Sequence, residues 1–224
     1  MRIAVLIIAT NKYIHFTYPL VKSIIKYFLT NHKVDIFIFT DSDKVPEGTT
    51  KIFQEHRPFP YPTLMRYHIY LNSKIFYKDY DYVYHCDADM CFVDIVGEEV
   101  FGDITAICHP GFYRRRFNNL EYEKNIISSA YVTLGESYYC GGLQGGRNYL
   151  KYCEYLKLMI DIDFSKNYIA VWHDESHWNK LLSMYPPDVV LDPSYCFPDK
   201  QELVDKWGLK GMKPKLIAIT KEKK

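Results

Sequence analysis

Tyr82-Val83-Tyr84-His85-Cys86-Asp87-Ala88-Asp89-Met90-Cys91-Phe92-Val93 is the stretch on which the reading of this chain turns. An apolar run that ends in two carboxylates spaced i, i+2 presents both on one side of an extended backbone, because side chains of a strand alternate with period two. Outward from it, Arg2 to Ala9 and Val34 to Phe39 are continuous apolar runs, the pattern of strands covered on both faces. Between these two, Leu20, Ile24, Ile25 and Phe28 recur at helical spacing over Tyr18 to Leu29, with Pro19 near the start, so a β-α-β unit is predicted. A second helix is predicted from Thr63 to Tyr77, with Leu64, Tyr67, His68, Leu71 and Ile75 on one face, feeding the strand Tyr82 to Cys86. In such a parallel sheet ligands collect beyond the carboxyl ends of the strands, where Asp87 and Asp89 stand.

The second half changes pattern. It gives a short strand Ile104 to Cys108, a turn at His109-Pro110-Gly111, a long polar and aromatic segment and a Gly-rich stretch, then helices Arg147 to Ile160 and Asp174 to Met184. At 224 residues the chain is one core's worth of protein. With no internal repeat, no low-complexity linker and no charge block before the lysine-rich end, one domain is expected. Lys and Arg number 28 against 27 Asp and Glu, so no general pull toward nucleic acid or an anionic membrane is expected. Aromatic residues make up 17%, which suits sugar binding or a large core equally. The opening Met1 to Ile8 runs straight into Thr10-Asn11-Lys12 without a small-residue cleavage site, and reads as a strand rather than a signal peptide. No stretch reaches the roughly 18 apolar residues of a membrane span, so a soluble protein is expected. The six cysteines form no C-x-x-C pair and are expected to be free thiols in a reducing compartment. Cys86 and Cys91 have an odd separation, which argues against a shared metal.

Three segments carry chemistry. The oxygens of Asp87 and Asp89 suit a hard divalent cation such as Mn²⁺ or Mg²⁺, which could also hold a diphosphate. At about 4 Å and an effective dielectric near 20, each unit-charge contact is on the order of 4 kcal/mol before desolvation, enough to matter for a departing leaving group. The competing reading of Asp-x-Asp is a turn whose carboxylates cap backbone groups. In Val171-Trp172-His173-Asp174-Glu175-Ser176-His177-Trp178, acids stand beside two indoles, a combination that packs on sugar faces and accepts hydroxyl protons, although Asp174 could equally cap the helix. His173 and His177 have zinc-helix spacing, but the Glu that must follow the first His is Asp174 here. Tyr138-Tyr139-Cys140-Gly141-Gly142-Leu143-Gln144-Gly145-Gly146-Arg147 is either a pocket wall that lets a ligand approach the backbone or a tight loop into the next helix. It lacks the G-K-[ST] ending of a phosphate loop.

His109-Pro110-Gly111-Phe112-Tyr113, Tyr138-Tyr139 with Gly141-Gly142 and Gly145-Gly146, and Trp172-His173-Asp174-Glu175-Ser176, in that order and at those separations, resemble glycosyltransferase family 6. That family includes the histo-blood-group A and B transferases, the α-1,3-galactosyltransferases and shorter microbial relatives. The similarity runs from about Ile3 to Lys221. It implies an α/β chain of GT-A fold, a single Rossmann-like nucleotide-sugar-binding domain with a mixed central sheet. Residues 1 to about 90 would form the UDP-binding half and about 91 to 224 the acceptor-binding half with the C-terminal tail. The activity implied is retaining transfer of GalNAc or Gal from the UDP-sugar, in α-1,3 linkage, to a β-galactoside. Asp87 and Asp89 are similar to the family's Asp-x-Asp, which holds Mn²⁺ against the diphosphate. Many bacterial members carry Asn at both places, whereas this chain keeps both acids, so metal dependence is expected. Ile8, Ala9, Thr10 and Tyr13 match the uridine-holding segment, Arg66 a donor-side arginine, and Lys221 a C-terminal lysine that closes over the diphosphate. Asp174 resembles the acid that binds donor-sugar hydroxyls, and Glu175 the proposed nucleophile or β-face stabiliser. Small side chains at Cys140, Gly141 and Gly142 look like those of the GalNAc-using members.

On the acceptor side the resemblance places His109, Trp172, Glu175 and Asp199, together with Glu121 where the family has Thr. The usual basic C-terminal extension is cut to Lys223 and Lys224, and no membrane anchor or stem is present, so a soluble, cytoplasmic microbial or viral member is expected. Two other classes compete. One is a UDP-sugar transferase of another GT-A family, glycogenin-like in Gly208-Leu209-Lys210-Gly211-Met212-Lys213-Pro214 but without that family's His. The other is a non-catalytic galactoside-binding module, which would bind without UDP or metal.

Overall fold

The computed structural model describes residues 1–115, 120–133 and 135–221, so Lys223 and Lys224 lie outside the described residues. The first half lays down β1 (Arg2–Ile8), α1 (Ile14–Tyr27), β2 (Lys33–Thr40), β3 (Thr49–Phe53), α2 (Tyr61–Leu64), α3 (Arg66–Asn72), β4 (Tyr82–Cys86) and β5 (Met90–Phe92). The second half adds β6 (Thr105–Ile107), β7 (Leu143–Gly146), α4 (Tyr149–Ser165), α5 (His173–Met184), β8 (Val189–Leu191), β9 (Phe197–Pro198), α6 (Gln201–Lys206) and β10 (Leu216–Ala218). Seven strands form the central sheet in the order β3-β2-β1-β4-β7-β6-β8. β3, β2, β1 and β4 run parallel, β7 is antiparallel to both its neighbours, and β8 is parallel to β6. This is the mixed α/β sheet expected of a GT-A fold. No helix among the described residues is long and apolar enough to cross a membrane.

β1 shows why the apolar runs are continuous. Ile3, Val5 and Ile7 face one core with Leu20, Val21, Ile24 and Phe28 of α1 and the segment after it. Ala4 and Leu6 face the other, with Tyr67, Tyr70, Tyr149, Leu156, Ile160 and Trp178 from α3, α4 and α5. With helices on both sides there is no solvent face to demand polar alternation.

Several boundaries differ from those read in the sequence. α1 starts at Ile14 rather than Tyr18 and runs through Pro19. Pro19 is exposed, so the carbonyl it leaves without a partner can turn to water. The helix expected from Thr63 to Tyr77 is broken at Met65 into α2 and α3. Arg66, Tyr67, His68, Ile69 and Tyr70 are all buried while Ile75 is exposed, because α3 is packed on more than one side. The Gly-rich stretch is half wall and half strand. Its end, Gln144-Gly145-Gly146, pairs with His85, Tyr84 and Val83 of β4, and a Cβ on Gly145 would collide with the Tyr84 ring. Gly146 sits at φ +135°, which only glycine adopts readily.

A second sheet, β5-β10-β9, sets the tail. β10 lies antiparallel to β5, with Ala218 opposite Met90, and the Ile219 N–H donates to the Asp89 carbonyl at 2.8 Å. The chain's last described residues are thereby brought back to the carboxylates that follow β4.

Candidate active site

Asp87 and Asp89 do not sit on an extended strand. β4 ends at Cys86, the backbone turns through Ala88 and Asp89, and β5 begins at Met90. The period-two parity argument therefore fails, yet both side chains line the same cleft because the turn itself projects into it. The Asp87 N–H donates to the Gly142 carbonyl at 2.8 Å, pinning this turn to the glycine pair.

Arg66 is the hub. Its buried guanidinium donates from Nη2 to Asp87 Oδ1 at 2.7 Å and from Nη1 to the Gly141 carbonyl at 3.0 Å. Nη1 also lies 3.0 Å from Asp174 Oδ2, an ion pair without hydrogen-bond alignment. His85 approaches the same Asp87 oxygen through Nε2 at 3.1 Å and meets the Tyr70 hydroxyl through Nδ1 at 2.5 Å. Burial, reinforced by Arg66, holds His85 down at about 4, so it is neutral near pH 7. The self-consistent tautomer carries the proton on Nε2, donating to Asp87 and accepting from Tyr70. Burial pushes Asp87 up, but Arg66 foremost and then His85 pull it to about 2, so it remains a carboxylate. Asp89 is raised by burial and by Asp87, and Lys221 Nζ opposes this from 2.9 Å. The Lys221 ammonium also lies 4.9 Å from the Tyr13 ring centroid.

α5 supplies the second acid pair. His173, at φ 51°, starts the helix and packs its ring edge-on against Phe59, 4.9 Å between centroids. A left-handed non-glycine at a helix start costs energy and persists where its surroundings hold it. The turn places Asp174 over Arg66 and Glu175 beneath the Gly141 N–H, which donates to its Oε2 at 2.8 Å. Burial raises Asp174 to about 6, with Arg66 opposing. Burial likewise raises Glu175 to about 7, with the Gly141 N–H opposing and Asp174 adding to the rise. Two carboxyl groups with raised affinity for protons thus face a third that is held ionised. Such a separation of protonation behaviour within one cleft is a mark of a reactive site.

Two cavities meet at these residues. One of about 210 Å³ is lined by Ile8, Thr10, Tyr13, Arg66, Asp87, Asp89 and Lys221 among others. The other, about 360 Å³, is lined by His109, Cys140, Gly141, Gly142, Trp172, Asp174 and Glu175, and shares Phe59, Thr63, Arg66, Asp87 and Asp89 with the first. His109 is held at about 4 by burial, and its Nδ1 accepts from the Gly111 N–H at 3.1 Å. Trp172 is exposed at the rim and donates from Nε1 to Glu121 Oε2 at 3.2 Å. Glu121 and Trp172 also line a separate hollow of about 330 Å³ with Glu123 and Val171.

Of the site residues placed by resemblance, three do not line the joined cleft. Ala9 is fully buried and gives its N–H to the Phe39 carbonyl. Glu121 belongs to the neighbouring hollow. Asp199 spends its carboxylate on the N–H and hydroxyl of Thr220, at 2.7 and 2.5 Å, clasping the segment that carries Lys221. Trp178, expected as a second indole for sugar, is fully buried and packs on Tyr149, 6.3 Å between ring centroids, because it lies more than a turn inside α5, on the face turned to α4, rather than at the helix mouth.

Residues the sequence did not flag also shape the cleft. His56 Nδ1 lies 3.0 Å from Thr10 Oγ1, and Asn179 clips Tyr139 by both its N–H and its carbonyl at 2.8 Å. His85 lies on β4 itself, where side chains do alternate, on the face opposite Tyr84 and Cys86, and its ring meets Tyr70 and Asp87. Asp163 had no local signal. Its carboxylate accepts from Ser128 Oγ at 2.6 Å and the Ser129 N–H at 2.5 Å, and lies 3.1 Å from His177 Nε2, tying the loop at 120–133 to α4 and α5.

A sequence model described as Glycosyltransferase family 6 matches residues 1–223. The chain is 32% identical over 216 residues to "Histo-blood group ABO system transferase 1" of Rattus norvegicus, covering 88% of this chain and 61% of that protein. It is 30% identical over 237 residues to "Histo-blood group ABO system transferase 2" of the same organism, covering 98% and 69%. Against "Globoside alpha-1,3-N-acetylgalactosaminyltransferase 1" of Homo sapiens the identity is 28% over 219 residues, covering 90% and 62%. The chain spans between 61% and 69% of the length of these relatives.

Proposed function

This chain belongs to glycosyltransferase family 6, and from that premise we propose that it moves GalNAc, or Gal, from a UDP-sugar in α-1,3 linkage to a β-galactoside, with retention at the anomeric carbon. The observation that carries this reading is Arg66, whose one guanidinium spans Asp87 in the first cavity and Asp174 in the second. That arrangement suits a ligand that is a diphosphate at one end and a sugar at the other.

Asp87 and Asp89 fit a hard divalent ion. Each gives one oxygen to a cationic neighbour, Arg66 or Lys221, while Asp87 Oδ2 and Asp89 Oδ1 take no other side chain among the described residues. All-carboxylate donors favour Mn²⁺ or Mg²⁺ over softer ions, and among the described residues no three or more His, Cys, Asp or Glu side chains are placed to hold a metal by themselves, so phosphate oxygens would complete the shell. When bound, such an ion would offset the charge of the departing diphosphate. Lys221 would add a positive charge on the same side, brought there by the pairing of β10 with β5.

Ile8, Thr10 and Tyr13 form the wall for the base, and Asp174, fixed by Arg66, accepts hydroxyl protons of the donor sugar. Glu175, held by the Gly141 N–H, faces the anomeric carbon either as a nucleophile forming a glycosyl intermediate or as a stabiliser of oxocarbenium charge during front-side attack. Gly141 and Gly142 favour the larger GalNAc, since a Cβ on Gly142 would stand 3.2 Å from Met90 Cε and 3.7 Å from Cys196 Sγ, narrowing the sugar pocket. His109, Trp172 and Glu175 receive the acceptor, with Glu121 behind Trp172, while Asp199 serves only indirectly, clasping the segment that carries Lys221.

The deciding assay incubates the protein with UDP-GalNAc or UDP-Gal, lactose or 2′-fucosyllactose, and Mn²⁺ or EDTA, and reads linkage and anomeric configuration by NMR. An α-1,3-linked product with UDP released supports the reading. Galactoside binding that ignores UDP and Mn²⁺ in calorimetry would replace it with a binding module, and a different linkage with another GT-A transferase.

A further inference from the structure

All six cysteines are free, and they are not equivalent. Cys86 and Cys153 are fully buried, and the Cys86 thiol lies 3.6 Å from the Asp87 carbonyl. Cys91 and Cys108 are half-buried, away from the joined cleft. Cys140 and Cys196 differ from these four. Both line the sugar side of the cleft, and the Cys196 thiol, ahead of burial, pushes the Cys140 thiol well above its ordinary value. Cys140 is 3% exposed beside Gly141, while Cys196 is half-buried at the end of the turn Pro193–Cys196. The Cys196 sulfur lies 3.7 Å from the point where a Cβ of Gly142 would stand, so it reaches across to the wall that Cys140 begins. These two segments are far apart in sequence and are held together by the fold, which gives an otherwise bimolecular thiol pair a fixed, local partner.

We propose that Cys140 and Cys196 form a redox modification site, joined into a disulfide by a two-electron oxidant of the peroxide class, and that the bridge slows sugar transfer until a thiol reductant opens it. Cys196, the solvent-reachable member, reacts first. Its sulfur, having lost its proton to solvent, attacks one peroxide oxygen, the O–O bond breaks, and the leaving hydroxide is protonated to water, leaving a sulfenic acid. The Cys140 sulfur, giving up its proton, attacks that sulfur, the S–O bond breaks and a second water leaves. Two thiols and one hydrogen peroxide become one disulfide and two waters.

Joining the two sulfurs at about 2 Å draws the Pro193–Cys196 turn toward Gly141 and Gly142. That turn leads directly into β9, which pairs with β10, so the bridge would also fix the tail that delivers Lys221. The effect on transfer rests on the function proposed above; the formation of the bridge does not.

The experiment treats the native chain with hydrogen peroxide, traps free thiols, and maps peptides without reduction, measuring in parallel the ratio of oxidised to reduced transfer rates. The expected result is a Cys140–Cys196 bridged peptide, a fall in rate of about tenfold or more, and recovery with dithiothreitol. In Cys196→Ser the bridge is absent and the ratio stays within about twofold of one. A bridge from Cys86 to Cys196, no bridge at all, or a full Cys140–Cys196 bridge with an unchanged rate would each overturn the proposal. Should neither the reduced nor the oxidised chain transfer sugar, the function proposed above fails, and the peptide map still decides whether the thiol pair is the site.

Discussion

Replacing Asp163 by Asn tests how the loop at 120–133, α4 and α5 are held together. The Asp163 side chain is buried in the fold yet ionised, taking Ser128 Oγ, the Ser129 N–H and His177 Nε2. Burial pushes its carboxyl up, but His177 first, and then the two serines, bring it from 3.8 down to about 2. At about 1.4 kcal/mol per tenfold change in proton affinity, that difference is worth about 2 kcal/mol. The sign follows from a folded-state value below the unfolded one: the stabilisation is fully present above about pH 4 to 5 and is lost as pH falls toward about 2. In a chain of this size about 2 kcal/mol moves the melting temperature by roughly 4 to 8 °C. Thermal unfolding followed by circular dichroism should therefore show Asp163→Asn melting about 4 to 8 °C lower than the parent at pH 6. The gap should shrink steadily between pH 4 and pH 2.5, because the parent alone loses this term. A gap that is absent at pH 6, or that stays constant down to pH 2.5, would refute the assignment of Asp163 as an ionised clamp.

Four further outcomes bear on the site. Glu175→Gln should lower turnover at least about 100-fold while leaving UDP affinity within about threefold, and near-normal turnover removes Glu175 from the chemistry. Because Glu175 binds its proton up to about pH 7 and acts as the carboxylate, kcat/KM of the parent should fall as pH drops below about 7; a flat profile from pH 5.5 to 8 contradicts that role. Asp87→Asn combined with Asp89→Asn should abolish any stimulation by Mn²⁺ and its reversal by EDTA, whereas unaltered metal response would place the ion elsewhere. Gly142→Ala should shift the ratio of kcat/KM for UDP-GalNAc over UDP-Gal at least about tenfold toward Gal, an amount equal to about 1.4 kcal/mol, and an unchanged ratio would show that this wall does not read the acetamido group.

The sequence exposed what depends on local pattern and hid what depends on distant partners. β1, β2 and β4 were legible because burial on both faces leaves an unbroken apolar run, and α5 because its polar and apolar residues alternate around a helix. β7 was not, since Leu143-Gln144-Gly145-Gly146 has two glycines whose requirement comes from the Tyr84 ring and the Asp103 carbonyl across the gap. β5, β9 and β10 are two or three residues each, too short for periodicity to register, and owe their existence to one another. The same division runs through the site. Asp87 and Asp89 stood out as a motif, although a turn rather than strand parity delivers them. Arg66 was reached only by resemblance, because nothing near it in sequence announces a buried charge. Its burial is permitted by Asp87, 21 residues onward, and by Asp174 beyond it on α5, so the cost of desolvating one guanidinium is offset by two carboxylates that the fold alone assembles. Arg66 holds Asp87 ionised against its burial, while burial first, with Asp87 adding to it, raises Asp174 to about 6 against the same guanidinium, which is why neither role could be read from either residue by itself.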